Sequence, residues 1–363
     1  MNDDSLQYLT QLGWDPFFQR HFQILKLPGS VPARVMSESK GSYQVYSQYG
    51  ELTAKISGTM RYQTGTEVRH PAVGDWVIVK PLVDEQKGTI HVVLPRKSKF
   101  SRKVAGERTE EQVVSANVDT VFIVSGLDGG RNFNLRRIER YLTLAWSSGA
   151  IPVVVLNKVD VCPNTDDCIR DLESIALGVS VHLVSAKERS GLDELRRYLT
   201  AGKTAAFLGP SGVGKSSLIN ALLGIDRQAI GEVREGDLMG KHTTTMRELI
   251  PLPGGGIVID TPGMREIQMW GDENDVDNAF ADIEGLSKMC HFTNCNHNGE
   301  SGCAVTAAIN RGKLDPTRLA SYRKLQNELV YLASKEEQST RVYEKAKFRK
   351  IALWSKQIQD SNR

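Results

Sequence analysis

Gly209-Pro210-Ser211-Gly212-Val213-Gly214-Lys215-Ser216 is a Gly-x-x-x-x-Gly-Lys-Ser pattern set between the apolar run Ala205–Leu208 and the helical run Lys215–Leu223. A strand before and a helix after are the context a phosphate-binding loop requires. Its glycines let backbone N–H groups wrap phosphate oxygens, and the helix N-terminus adds a favourable field. Lys215 is placed to reach the β- and γ-phosphates of a nucleotide and to serve catalysis there, and Ser216 to hold Mg2+.

Outward from this loop stand Asn157-Lys158-Val159-Asp160, then Ser185-Ala186-Lys187, both upstream, and Asp260-Thr261-Pro262-Gly263 downstream. The Asp160 carboxylate suits the N1 and N2 donors of guanine. Adenine lacks that pair, and a buried carboxylate without partners is costly. Asn157 suits purine N7 or a tie between loops, the Lys158 stem suits the face of the base, and the Ala186 N–H suits guanine O6. Asp260 is expected in the Mg2+ shell, and the Gly263 N–H at the γ-phosphate. Together these residues predict GTP binding and hydrolysis. In ordinary GTPases the phosphate loop comes first. Here it comes third, so the order predicts a circularly permuted domain.

The pattern between residues 118 and 260 is βα. Apolar strand runs at Val121–Val124, Pro152–Leu156, Val181–Val184, Ala205–Leu208, Arg247–Leu252 and Gly256–Ile259 alternate with helical runs at Leu135–Trp146, Asp166–Leu177, Leu192–Leu199 and Lys215–Leu223. Each motif falls just past the carboxyl end of a strand, where doubly wound sheets bind ligands.

His242-Thr243-Thr244-Thr245 lies where a first switch is expected, with Gly231, Gly236 and Gly240 before it. Thr244 or Thr245 is the candidate Mg2+ ligand and γ-phosphate sensor. Met264 follows Gly263, where Ras-like enzymes carry the glutamine that orients the attacking water. Methionine cannot do this. His242 is the nearest candidate in sequence, against the plainer reading of a structural or solvent-facing histidine.

Short strand runs punctuated by glycine occur at Val31–Met36, Tyr43–Ser47, Leu52–Ile56, Trp76–Val79 and Ile90–Leu94. Five such strands predict a small closed barrel of the OB type, a fold that binds RNA or single strands. Tyr43, Tyr46, Tyr49, Tyr62 and Trp76 are candidate base-stacking residues, with core packing as the plainer role. The aromatic stretch before residue 30 reads as a helical packing arm. Cys290, Cys295, His297 and Cys303 match a closed Cys3His zinc site, with His291 a poorer competitor. Cys162 and Cys168 read as ordinary thiols. Pro316 opens a segment with Leu319, Tyr322, Leu325, Leu329 and Leu332 at helical spacing.

The chain of 363 residues has a net charge of only +3, so whole-molecule charge does not choose a partner. Two local clusters point to a phosphate-rich one: Arg96, Lys97, Lys99, Arg102 and Lys103, and Lys345, Lys347, Arg349 and Lys350. No apolar run approaches the roughly 18 residues of a membrane span. An odd count of five cysteines argues against a disulfide framework and for a reducing cytoplasm.

The barrel pattern, the motifs NKVD, GPSGVGKSS, HTTT and DTPG, and the Cys-Cys-His-Cys segment, in this order, resemble the RsgA (YjeQ) family of ribosome small subunit-dependent GTPases. The resemblance covers residues from about 31 to 335. It implies a multidomain chain: an N-terminal extension over 1–30, an OB-fold barrel over 31–97, a circularly permuted α/β GTPase domain over 98–274, and a zinc-binding helical domain with a basic tail over 275–363. It carries phosphate-loop roles onto Gly209–Ser217, which adds Ser217, and zinc-ligand roles onto Cys290, Cys295, His297 and Cys303. It implies GTP and GDP, Mg2+ and one Zn2+. The expected partners are the 30S subunit and its 16S rRNA, bound late in maturation by a bacterial cytoplasmic monomer, with subunit-stimulated hydrolysis coupled to release. The competing expectation is a GTP-gated RNA-binding adaptor whose hydrolysis is incidental.

Overall fold

The computed structural model describes residues 3–25, 27–39, 41–62, 70–103, 111–129, 132–173, 175–176, 178–224, 247–260, 280–327 and 330. The chain divides into two compact units. The first comprises Met1–Ser101 and Val113–Ile267, the second Arg102–Gln112 and Gln268–Arg363.

The first unit opens with two helices, α1 (Asp3–Gln11) and α2 (Pro16–Leu25). Five strands follow: β1 (Val31–Ser39), β2 (Ser42–Ser47), β3 (Gly50–Ile56), β4 (Trp76–Leu82) and β5 (Lys87–Val93), with the short helix α3 (Gly58–Tyr62) after β3. They pair in the order β1-β2-β3-β5-β4, and β4 returns to β1, so the barrel is closed and OB-like. Val35, Val45, Leu52, Ala54, Val77, Val79 and Ile90 fill it. Alternate residues of β4 face outward, yet Trp76 and Ile78 are also buried, because α1, α2 and the turn between them cover them with Leu9, Leu12, Trp14 and Phe18. Trp14 meets Trp76 edge-on at 4.7 Å between ring centroids.

That packing supports the plainer reading for two of the five aromatic candidates. Trp76 and Tyr43 are core residues and do not present a stacking face, whereas Tyr49 is exposed. The Tyr62 side chain lies outside the described residues. The basic cluster is also partly consumed. Arg96 grips the fully buried Asp75 through Nε at 2.8 Å and Nη2 at 2.7 Å, and Lys97 pairs with Asp15 of the arm.

A two-stranded sheet, β6 (Lys99–Lys103) with β7 (Glu111–Ala116), follows the barrel and was not evident from the sequence pattern. Then come β8 (Thr120–Gly126), α4 (Leu135–Ser148), β9 (Ile151–Asn157), α5 (Thr165–Glu173), β10 (Ser180–Val184), α6 (Leu192–Arg196), β11 (Thr204–Leu208), α7 (Lys215–Leu223), β12 (Glu248–Pro251) and β13 (Ile257–Asp260). The sheet order is β10-β9-β8-β11-β13-β12, parallel except for β12. Every residue of β8 is buried, as an apolar parallel strand covered on both faces must be. Phe122, Val155, Leu195, Phe207, Leu218 and Val258 bring β8, β9, β11 and β13 into one core with α6 and α7. α5 ends four residues earlier than the expected Leu177. Barrel and sheet are continuous, since Ser37 of β1 pairs with Glu248 of β12.

In the second unit, α8 (Ala281–Ser287), α9 (Ala304–Asn310) and a helix over 316–327 bury Phe280, Ile283, Val305, Leu319, Tyr322 and Leu325. Leu329 and Leu332 lie outside the described residues, as does the basic cluster over 345–350.

One buried cation joins the parts of the first unit. Arg34 of β1 is 1% exposed and donates to Leu12 O of the arm, to Gly74 O at 3.3 Å, to Asn117 O at 3.1 Å and to Thr204 Oγ1 at 2.9 Å. Burial lowers its pKa to about 10, opposed by Asp119 and Asp75, so it stays charged at neutral pH. Thr204 begins β11, so arm, barrel and phosphate-loop strand share one guanidinium. Replacing it with an apolar side chain leaves buried acceptors without donors. Arg34→Leu is expected to cost about 3 kcal/mol, seen as a lowered urea midpoint at constant slope. An unchanged midpoint contradicts this account of the junction.

Candidate nucleotide site and metal centre

β11 lies between β8 and β13, with β9 and β10 beyond β8. Register aligns Gly126 with Asn157, and Asn157 with Val184. The carboxyl termini of these five parallel strands therefore lie along one end of the sheet, although the chain visits β8, β9 and β10 before β11.

The phosphate loop runs from Gly209 to Gly214 and opens α7 at Lys215. Gly212 and Gly214 have φ of +85° and +93°, the left-handed region that glycine tolerates. Gly214 has a second constraint: a Cβ there would sit 2.3 Å from Asn157 Nδ2. A Cβ on Gly209 would sit 2.5 Å from Val124 O. Val213 is fully buried and anchors the turn, while Ser211, Gly212, Ser216 and Ser217 are exposed and Pro210 is half-buried. Lys215 Nζ donates to Gly209 O at 2.8 Å and Pro210 O at 2.7 Å, which holds the ammonium at the mouth of the loop.

The base loops are tied to the phosphate loop through one amide. Asn157 Nδ2 donates to Val213 O at 2.8 Å, and Asn157 Oδ1 accepts from the Ala186 N–H at 3.1 Å. The Ala186 N–H is thus engaged by Asn157, where the sequence pointed to guanine O6. Val159 and Asp160 lie in a 3-10 turn, and Ser185 Oγ donates to Asp160 Oδ1 at 2.6 Å. Ser185 is itself fixed: its Oγ accepts from the Glu188 N–H, and its backbone pairs both ways with Ser190 at 3.1 Å. Lys187 is exposed beside it. Lys158 has a left-handed φ of +67° and its Nζ meets Asp128 Oδ2 at 2.5 Å. The hydrogen bond from Lys158 holds the Asp128 carboxyl below its ordinary range. Asp128 follows β8 and belongs to no recognised motif, so the sequence offered no signal for it.

Asp260 ends β13 opposite Glu248 and is half-buried. The expected switch residues His242, Thr243, Thr244 and Thr245, together with Gly263 and Met264, lie outside the described residues.

In the second unit the ligand atoms of Cys290, Cys295, His297 and Cys303 all lie within 4.8 Å of one another. His297 Nδ1 is 3.6 Å from Cys290 Sγ and 3.5 Å from Cys303 Sγ, and the two sulfurs are 4.0 Å apart. Tetrahedral zinc, with Zn–S of about 2.3 Å and Zn–N of about 2.0 Å, sets edges of roughly 3.5–3.8 Å. The cluster fits that size, and all four groups are ligand types zinc prefers. Cys303 also caps α9, its Sγ accepting from the Thr306 N–H at 3.3 Å. Burial pushes the Cys303 thiol up, but the Thr306 donors and His297 outweigh it and lower it to about 6, whereas burial pushes the neighbouring Cys295 thiol up to about 11, so of these two Cys303 ionises first. His297 sits at φ +61°, and its carbonyl accepts from Arg323 Nη2 at 2.6 Å. His291 packs edge-on against Phe292 and stands outside the cluster.

These features have counterparts in known proteins. The family model described as RsgA GTPase matches residues 93–270. The small ribosomal subunit biogenesis GTPase RsgA of Opitutus terrae is 46% identical over 352 residues, covering 94% of this chain and 95% of its own. RsgA 2 of Lactiplantibacillus plantarum is 44% identical, covering 85% and 86%. The crystal structure of YjeQ from Thermotoga maritima is 29% identical with a TM-score of 0.63, covering 83% of this chain and 99% of that one. That of YloQ, described as a circularly permuted GTPase, shares the fold at a TM-score of 0.59 and 24% identity. With a phosphate loop and guanine-type base loops tied together in permuted order, and with relatives this similar along nearly its whole length, the chain belongs to the RsgA GTPase family and is a GTP-hydrolysing enzyme.

Proposed function

We propose that this enzyme binds the small ribosomal subunit late in its assembly, contacts 16S rRNA, and hydrolyses GTP when that surface engages it, the hydrolysis driving release. The observation that carries the reading is 46% identity along 94% of the chain to a protein named for small ribosomal subunit biogenesis. A closed OB-like barrel joined edge to edge with the GTPase sheet supports it, since such barrels bind RNA through loops and one face. The setting is the bacterial cytoplasm, and no described helix is long and apolar enough to cross a membrane. In this reading the chain acts as a monomer, with domains over 1–30, 31–97, 98–274 and 275–363.

Asp160 reads guanine N1 and N2, held in orientation by Ser185. Asn157, Val159, Ala186 and Lys187 shape the base slot, and the Lys158 stem lies against the purine. The N–H groups of Gly209, of Ser211 to Ser217 and of Gly263 wrap the phosphates, Pro210 shapes the turn between them, and Lys215 turns from the loop carbonyls to the β- and γ-phosphates. Ser216, Asp260 and Thr244 or Thr245 would hold Mg2+, which supplies charge neutralisation at the phosphate oxygens. His242 places the attacking water, because Met264 cannot. Cys290, Cys295, His297 and Cys303 would hold one structural Zn2+ that fixes the loop before α9.

Met264 also sustains the second reading, a GTP-gated RNA-binding adaptor with incidental hydrolysis. Turnover separates the two. Purified small subunits are expected to raise GTP hydrolysis more than tenfold and large subunits not at all, with the stimulation lost in His242→Ala. Nucleotide-dependent binding to small subunits without stimulation favours the adaptor, and strong stimulation of His242→Ala removes the role given to that histidine.

The metal assignment has its own check. The purified chain is expected to carry one zinc by elemental analysis, and Cys303→Ser to lose it while GTP affinity stays within about twofold. Full retention of zinc in the variant contradicts the ligand set.

A further inference from the structure

Asp128 stands two residues past the end of β8, on a loop the motifs do not name. Its ion pair with Lys158 Nζ is only partly open to solvent, the two side chains being 26% and 29% exposed. The carboxylate is fixed from its own side as well. Asn132 Nδ2 donates to Asp128 Oδ1 at 3.1 Å and Oδ2 at 2.9 Å, and Asn132 O accepts from Ser125 Oγ at 2.9 Å. Gly126, the last residue of β8, lies beside both Asp128 and Asn132. A Cβ there would lie 3.3 Å from Asn132 Cβ, 3.5 Å from Asp128 Oδ1 and 3.5 Å from Val213 Cα. Gly126, two residues before Asp128, thus lies beside Val213 of the phosphate loop, and Asp128 itself reaches the base loop through Lys158.

Lys158 needs such a hold. Its left-handed backbone fixes where the side chain leaves the chain, but four rotatable bonds carry about 2 kcal/mol of rotamer entropy. A free ammonium at the base slot samples many directions. One tethered to a braced carboxylate presents its stem in a single one.

We propose that Asp128 is a positioning residue for the nucleotide: it fixes Lys158 so that the lysine stem forms a standing wall of the purine slot and slows nucleotide release. The inference rests on the assignment of Asn157–Asp160 as the base-reading loop. Asp128 acts through Lys158 and not on the reacting phosphate, so its effect falls on binding rather than on the chemical step.

Release of a fluorescent GDP analogue, measured by stopped flow on the full chain, tests this in wild type, Asp128→Asn, Asp128→Glu, Lys158→Ala and the Asp128→Asn/Lys158→Ala double variant. A partly exposed ion pair of about 1 kcal/mol corresponds to a change of about fivefold. Asp128→Asn is expected to speed release by about that factor and to raise KM for GTP in step, with kcat held. Asp128→Glu restores slow release, and adding Asp128→Asn to Lys158→Ala changes nothing further. Wild-type release rates in Asp128→Asn overturn the proposal. So does an equal acceleration in the Lys158→Ala background, which makes Asp128 independent of the lysine. A wild-type chain that holds ATP as well as GTP removes this proposal together with the base-loop reading beneath it.

Discussion

The side-chain amide of Asn157 is the interaction on which the nucleotide site depends. It is 1% exposed, and both its ends are engaged, one by the phosphate loop 56 residues away in sequence and the other by the Ala186 loop 29 residues away. Each bond contributes about 1 kcal/mol net, and a buried partner left unmatched costs about 1–3 kcal/mol. Gly214 is required by the same contact, because any Cβ there would collide with the amide nitrogen. Permutation changes the order in which strands are joined but leaves this contact intact. What the site needs is that β8, β9, β10, β11 and β13 end side by side, and the sheet order provides it.

The permuted connection has a structural consequence at the other edge. Glu248 of β12 pairs with Ser37 of the barrel on one side and Asp260 on the other. A barrel strand thus runs two strands away from the candidate Mg2+ carboxylate within one continuous sheet. At the opposite ends of the strands, Arg34 joins the helical arm and barrel to the first residue of β11. The barrel is seated on the GTPase sheet by a backbone pairing and by a buried cation, which together fix its position relative to the nucleotide loops.

Much of this was legible in the sequence because the signals were local. Glycine spacing marked the phosphate loop, β-branched runs between glycines marked the barrel strands, and Cys-Cys-His-Cys spacing marked the cluster that the structure closes to 4.8 Å. What was hidden depended on distant partners. Arg96 and Lys97 read as a basic patch, but Asp75 and Asp15 claim them. Trp76 read as a base-stacking candidate, but helices of the N-terminal arm bury it. Arg34 and Asp128 carry no motif, since their importance lies in carbonyls and a lysine brought to them only by the fold. The bond from the Ala186 N–H to Asn157 was equally hidden, because a motif shows which groups are present and not which protein neighbour they meet.

Hydrogen exchange on Asn157→Ala tests the central claim most directly. If this amide binds the two loops into one site, backbone amides over both 185–188 and 209–216 lose protection together, and GTP affinity falls with them. Faster exchange confined to one loop, with GTP affinity unchanged, would contradict the account.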